Sequence, residues 1–314
     1  MTNEKIDFYS STNLKSYNLD AIMKYQLSML DRMDVFTRRH SENVANLVCR
    51  ICEYLHCKKV FTIHATICGY LHDIGKLFIP PEVLNKPGSL TKEEYDIMKK
   101  HTTFGYEMCM KDLKLRPYAD GALYHHEALN GSGYPQGLRK KDIPYVAQII
   151  RVADEYDAIV TKRQYVTHIN ISETLKELIR DAVPAEYIKT VALDALNENC
   201  RVGKINSKVL KSLFKVVIDD TLYEISCVME YIDFLYEQID RLEKIEKYDL
   251  KSQKAKKDKD KNYYREGMKM LFKHGETFEN YQTVLDEYRE AIILRQDVKE
   301  KLYKEIKIIK KLRI

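Results

Sequence analysis

Apolar residues recur every three or four positions along nearly the whole chain while alternating, strand-like runs are scarce, and this periodicity confines the fold to packed helices. Val44, Leu47, Val48, Ile51 and Leu55 form one such face, with His40 on it one turn earlier. "TKEEYDIMKKHTTFGYEM" opens with Thr91 and Glu94 at capping-box spacing and sets Ile97 four residues before His101, so this histidine also faces inward. "GALYHHEAL" and "YVAQIIRVADEYDAIV" predict further helices, the second with Asp154 four residues after Ile150. Two segments break the pattern. Residues 79–91 hold three prolines and a glycine, and residues 130–144 hold three glycines and two prolines, so both are expected to be surface loops of the kind that carries function.

With 314 residues and 45% hydrophobic content the chain can build its core without covalent staples. A net charge of +5 is too small to indicate nucleic-acid binding. The first twenty residues are polar and no later apolar run reaches membrane-spanning length, so a cytoplasmic protein without membrane contact is expected. Seven cysteines, an odd number, scattered through helical sequence suit reduced thiols. "CRIC" (Cys49, Cys52), with Cys57 nearby, lacks both a second pair at ligand spacing and a βαβ setting, and is read as packed side chains.

Beyond about residue 218 the character changes. Leu222, Ile225, Met229, Ile232, Leu235, Ile239 and Leu242 repeat at threes and fours, and Tyr281, Leu285, Tyr288 and Ile292 resume that spacing after a charged stretch near 249–262. The expected organisation is a partly helical lead-in (1–26), a helical domain (27–218) and a coiled-coil-like helical hairpin (219–314) with a solvated charged linker. No sensory segment is evident before residue 20 or after 218, so control is expected through a partner, the hairpin or expression.

Seven of the nine histidines lie between residues 40 and 126. Five of these, His40, His72, His101, His125 and His126, sit on or beside apolar helix faces together with Asp73 and Asp154; His56 and His64 read as ordinary hydrogen-bonded residues. "LHDIGK" (71–76) alone allows two readings, a helix end with Gly75 as stop signal and Lys76 offsetting the dipole, or a metal-ligand pair. Burying five imidazoles and two carboxylates uncompensated would be costly, and a pair of divalent cations resolves the cost. The donor set suits iron, manganese, zinc or nickel better than magnesium.

His40, "HDIGK" from His72, "HTTFG" from His101, "HHEALNGSGYPQGL" from His125, "VAD" ending at Asp154 and "RQY" from Arg163 resemble, in order and spacing, the HD-GYP proteins, a branch of the HD metal-dependent phosphohydrolases that cleave cyclic di-GMP in bacterial signalling. The resemblance spans roughly residues 27–216 and implies an all-α, HD-type helical bundle. It further implies that Asp73 bridges two divalent ions, iron or manganese, with His40, His72 and Asp154 on one side and His101, His125 and His126 on the other. Two ions about 3.5–4 Å apart could share a hydroxide that attacks phosphorus, giving linear pGpG and slowly GMP. Lys76 and Arg163 would reach phosphate oxygens, with Asp73 and Lys76 the catalytic pair, Gly133 giving backbone room and Tyr134 either an aromatic wall for a guanine or partner, or an inward-packed residue.

The chain departs from the family in four places. Phe36 replaces a glutamate of the three-metal members, so two ions are expected; Val166 replaces a basic residue; residues 182–202 are longer than usual; and Asn206 stands for an aspartate. Two other readings compete with a cyclic di-GMP phosphodiesterase: an HD phosphohydrolase for another cyclic dinucleotide, and a weakly active cyclic-dinucleotide receptor or docking module. The GYP loop is a further surface for a protein partner, and the C-terminal helices are expected to join two chains.

Overall fold

The computed structural model describes residues 28–29, 32–164, 171–182, 203–273 and 275–312, with backbone alone over 161–164. Its described residues are helical apart from loops and one isolated bridge, Asn130 to Arg139. The chain divides into two units, residues 1–218 with 308–314, and residues 219–307.

In the first unit, α1 (Val35–Tyr54) starts where the Asp34 carboxylate accepts from the N–H groups of Phe36 and Thr37 at 3.0 and 2.9 Å. Helix α2 (Lys59–Leu71) lies close against it, because a Cβ on Gly69 would stand 3.0 Å from the Ala45 Cα. A 3-10 turn (Ile74–Phe78) and the short α3 (Pro81–Leu84) follow. Helix α4 (Lys92–Lys99) begins with the expected capping box of Thr91 and Glu94, but the chain breaks at Lys100, and α5 (His101–Lys111) is a separate helix. Then come α6 (Ala119–Tyr124), α7 (Tyr145–Gln164) and α8 (Ile171–Ala182). Helix α7 is buried on most sides through Val146, Ile149, Ile150, Val152 and Ala153, which makes it the axis of the unit. Val44, Val48 and Ile51 of α1, Leu175 and Leu178 of α8, and Val209 to Val217 at the start of α9 (Ser207–Lys254) pack around it. Each fully buried Leu or Ile there contributes about 1.5–3 kcal/mol. Ile309 joins the same cluster from the chain's far end.

Asn206, for which the sequence offers no chemical account, has a structural one. Its side-chain oxygen accepts from the Lys208 N–H at 3.0 Å and so caps α9, while its amide donates to Gln148 Oε1 at 2.8 Å.

The second unit differs from the expected hairpin. The charged stretch near 249–262 is largely exposed, as a solvated stretch should be, but it is mostly helical: α9 continues to Lys254, and after a short break α10 (Asp258–Leu271) runs before α11 (Tyr281–Lys311). The reason is apolar burial that periodicity alone leaves hidden, since Met268 of α10 is enclosed by Leu242, Ile245, Tyr281 and Leu285. Arg241 ties α9 to the end of α10 and to the loop before α11 by donating to Leu271 O at 2.8 Å and to both oxygens of Glu276 at 2.5 and 2.6 Å. Among the described residues no helix is long and apolar enough to cross a membrane.

Candidate metal centre

The first unit brings six of the seven sequence-predicted ligands around the seventh, Asp73. Its carboxylate lies just beyond α2, where His72 caps the helix and the chain tightens into the 3-10 turn. One oxygen, Oδ2, is 3.2 Å from His72 Nε2 and 3.7 Å from His40 Nε2; the other, Oδ1, is 3.4 Å from His101 Nε2 and 3.9 Å from His125 Nε2. Asp154, on α7, repeats this split, with Oδ1 3.0 Å from His40 Nε2 and 4.0 Å from His72 Nε2, and Oδ2 3.8 Å from His126 Nδ1. Two sets of donor atoms, His40/His72/Asp73 and His101/His125/His126, each converge within 4.8 Å, as metal sites require.

The imidazole tautomers follow from their hydrogen bonds. Nδ1 of His72 faces Gly69 O at 2.7 Å, Nδ1 of His101 faces Met98 O at 2.7 Å, and Nδ1 of His125 faces Ala122 O at 2.9 Å. A carbonyl accepts only from N–H, so each proton sits on Nδ1 and each Nε2 turns a bare lone pair inward. His101 and His125 then oppose two lone pairs across 3.2 Å, and His72 Nε2 and Asp73 Oδ1 are buried without a hydrogen-bond partner. Such a converging set of acceptors suits a cation, and the residues present fit one.

Electrostatics agree. Burial holds His101 below the usual histidine range, His125 well below it, and His126 at about 3, so these rings are neutral and ligand-competent. Burial opposes ionisation of Asp73, yet the ammonium of Lys76 beside it keeps its carboxyl well below the ordinary value. Asp154 is likewise depressed, its burial outweighed by the hydrogen bond and charge of His40. His40 is the exception: burial opposes its protonation, but bonds to Asp154 and Asp157 push it up to about 10.

Two contributors escape sequence reasoning. Asp157, one turn beyond Asp154, meets His40 Nδ1 at 2.7 Å through Oδ2 and accepts from Asn43 Nδ2 at 3.0 Å through Oδ1, fixing the ring so that Nε2 faces the centre. The available signal was its spacing three residues after Asp154. Glu127 is buried and accepts from the N–H groups of Gln136, Gly137 and Leu138 at 2.6, 3.1 and 2.8 Å, pinning the 130–144 loop against the His125–His126 step. Its signal was an acid beside a ligand pair and before a glycine-rich loop.

Gly133 is required by close approach, because a Cβ there would stand 2.2 Å from Ala128 N and 2.5 Å from His126 O. The partly exposed Tyr134 ring packs over His126, with centroids 4.7 Å apart and planes tilted by 31°. Lys76 donates to Asp73 Oδ2 at 2.5 Å. Gly75 is not a left-handed stop signal. Instead a Cβ there would stand 1.9 Å from His101 O, so its missing side chain lets the start of α5 dock on the 3-10 turn. His64 has a separate role, facing Pro117 O at 2.9 Å. Arg163 lies on α7 with its side chain outside the described residues, as are Val166 and residues 183–202.

The profile of the HD domain family matches residues 24–187. Over 155 residues the chain is 42% identical to a cyclic di-GMP phosphodiesterase of Thermotoga maritima, covering 48% of this chain and 42% of that protein. A cyclic di-GMP phosphodiesterase of Pseudomonas aeruginosa is 34% identical over 48% of this chain and 37% of its own. The 3'3'-cGAMP-specific phosphodiesterase 1 of Vibrio cholerae is 30% identical over 57% of this chain and 41% of its own. The chain thus spans less than half the length of these relatives.

Proposed function

Because the chain belongs to the HD-domain family, we propose that it is a metal-dependent phosphodiesterase of the HD-GYP type, hydrolysing cyclic di-GMP to the linear dinucleotide. The observation that carries this reading is the division of Asp73, one oxygen toward His40 and His72 and the other toward His101 and His125. His40, His72, Asp73 and Asp154 would hold one ion, and Asp73, His101, His125 and His126 the other, with iron or manganese favoured by the nitrogen-rich donor set. Bound there, divalent cations supply Lewis-acid polarisation of a phosphoryl group and acidify water near neutral pH.

The chain's own residues orient the reaction. Lys76 stands beside the bridging carboxylate and can reach a phosphate oxygen by moving off Asp73, and Arg163 is proposed to grip another. Tyr134, backed by His126, forms a wall for a base, on a loop that Glu127 holds rigid. Phe36 is 75% exposed and offers no ligand, while the nearby Asp34 carboxylate is committed to capping α1, which supports two ions and not three.

A purified, iron- or manganese-loaded protein incubated with cyclic di-GMP, cyclic di-AMP and 3'3'-cGAMP should consume cyclic di-GMP fastest. The linear dimer should accumulate before GMP, because Val166 offers no charge to regrip the freed phosphate, and a misplacement of about 1 Å can cost a factor near 100 in rate. GMP appearing without a lag would contradict the role given to Val166, and no turnover of any of the three would favour the receptor reading.

The second unit is proposed to join two chains. Leu222, Met229, Tyr236 and Leu250 of α9 are exposed at seven-residue multiples, the spacing of a helix-pairing seam. Met229→Glu combined with Leu222→Glu should reduce the particle mass in light scattering to a single chain; an unchanged multi-chain mass would exclude this seam. Deleting the whole segment is a poorer test, since Ile309 belongs to the core of the first unit.

A further inference from the structure

The cysteine pattern that the proposed chemistry leaves unused acquires a meaning at the end of α1. The helix closes in a Schellman motif: the Cys57 N–H donates to Cys52 O at 3.0 Å, the His56 N–H donates to Glu53 O at 2.9 Å, and His56 takes the left-handed conformation with φ 55°. In this motif the residues at the two ends of the longer bond meet side chain to side chain, and the contact is ordinarily apolar. Here both are cysteines. Cys52 is buried, Cys57 is partly exposed and packs against the cluster that contains Cys52, and both are free thiols. Cys49, one turn earlier, is buried and interacts with Thr66 on the neighbouring helix α2.

We propose that Cys52 and Cys57 form a reversible disulfide across this helix cap, a modification site reached by low-molecular-weight disulfides. The thiolate of Cys57, the accessible partner, attacks one sulfur of the small disulfide, forming a mixed disulfide and releasing one small thiolate. Cys52 then loses its proton to solvent and attacks the Cys57 sulfur, releasing the second small thiolate, which solvent protonates. Two protein thiols and one small disulfide thereby become one protein disulfide and two small thiols. Burial pushes the Cys52 thiol up, which suits it to the second, intramolecular step and not to first attack. The bridge would tie down the exit of the helix that carries His40 near its other end.

The test uses the full protein equilibrated in glutathione redox buffers, quenched with an alkylating agent and digested with trypsin. Cleavage after Arg50 and Lys58 leaves both thiols in one peptide, "ICEYLHCK", separate from Cys49. In the oxidised sample that peptide should be unalkylated and lighter by two hydrogens. Because the folded backbone already holds the two residues in register, the folded protein should close the bridge at a ratio about ten-fold more reducing than the same chain in urea. Cys57→Ser should abolish the product and Cys49→Ser should leave it unchanged. A persistent glutathione adduct on Cys57, a cross-link to Cys49, or a closing ratio no more reducing when folded than in urea would each overturn the assignment.

Discussion

Asp73→Ala is expected to lose both ions together and to lower kcat/KM by on the order of 10³-fold, about 4 kcal/mol of transition-state stabilisation, while helical content stays near wild type. The size of the effect follows from the divided carboxylate. Each histidine ligand serves one side of the centre, whereas Asp73 presents Oδ2 to His72 at 3.2 Å and Oδ1 to His101 at 3.4 Å, closer on both sides than the similarly divided Asp154 comes to His126 at 3.8 Å. Removing it also leaves Lys76 without its 2.5 Å partner, so an ammonium replaces a salt bridge at the middle of a site that must attract cations. Asp73→Asn keeps the shape but not the charge, and should lose metal as well, which separates electrostatics from packing. Elemental analysis beside circular dichroism measures both halves; a variant with full metal occupancy and normal turnover would remove Asp73 from the centre.

Gly75→Ala adds one methyl group and is expected to empty one side of the centre selectively. The new Cβ would stand 1.9 Å from His101 O and 2.4 Å from Gly105 N. Both are backbone atoms of α5, so no side chain can swing aside and the helix start must move. Overpacking of this kind costs about 1–3 kcal/mol. His101 moves with the helix, and its Nε2 is one of the two lone pairs that face each other across 3.2 Å. Metal content should fall from two ions to about one, with the His40 side retained, and turnover should drop by a factor near 100 for a displacement of about 1 Å. Thermal unfolding distinguishes this from general collapse: a folded variant with both ions and wild-type turnover would show that the close approach does not position His101.

Much of this molecule is written locally. Helix periodicity, the Thr91–Glu94 capping box and the two proline- and glycine-rich breaks depend on neighbours within a few residues, so they are legible without a fold. The inward placement of His40, His101 and Asp154 is read the same way, from apolar residues three and four positions away. The charged 249–262 stretch is exposed as its composition suggests, but its helical state was hidden for the converse reason: only the distant Leu242, Ile245 and Tyr281 enclose Met268 and fold α10 against them.

What only the tertiary structure decided is how far-separated residues share atoms. His40 and Asp157 are 117 positions apart and meet at 2.7 Å. Gly75 has a glycine's local freedom but is needed for the backbone of another helix, and Glu127 serves three N–H groups nine to eleven residues away. Sequence by itself determined an all-helical chain and a set of inward imidazoles and carboxylates, because side-chain direction on a helix repeats with a fixed period. Which oxygen faces which ring, which nitrogen carries the proton and which glycine lets a helix dock were decided by packing, because each depends on a contact between elements that no local period encodes.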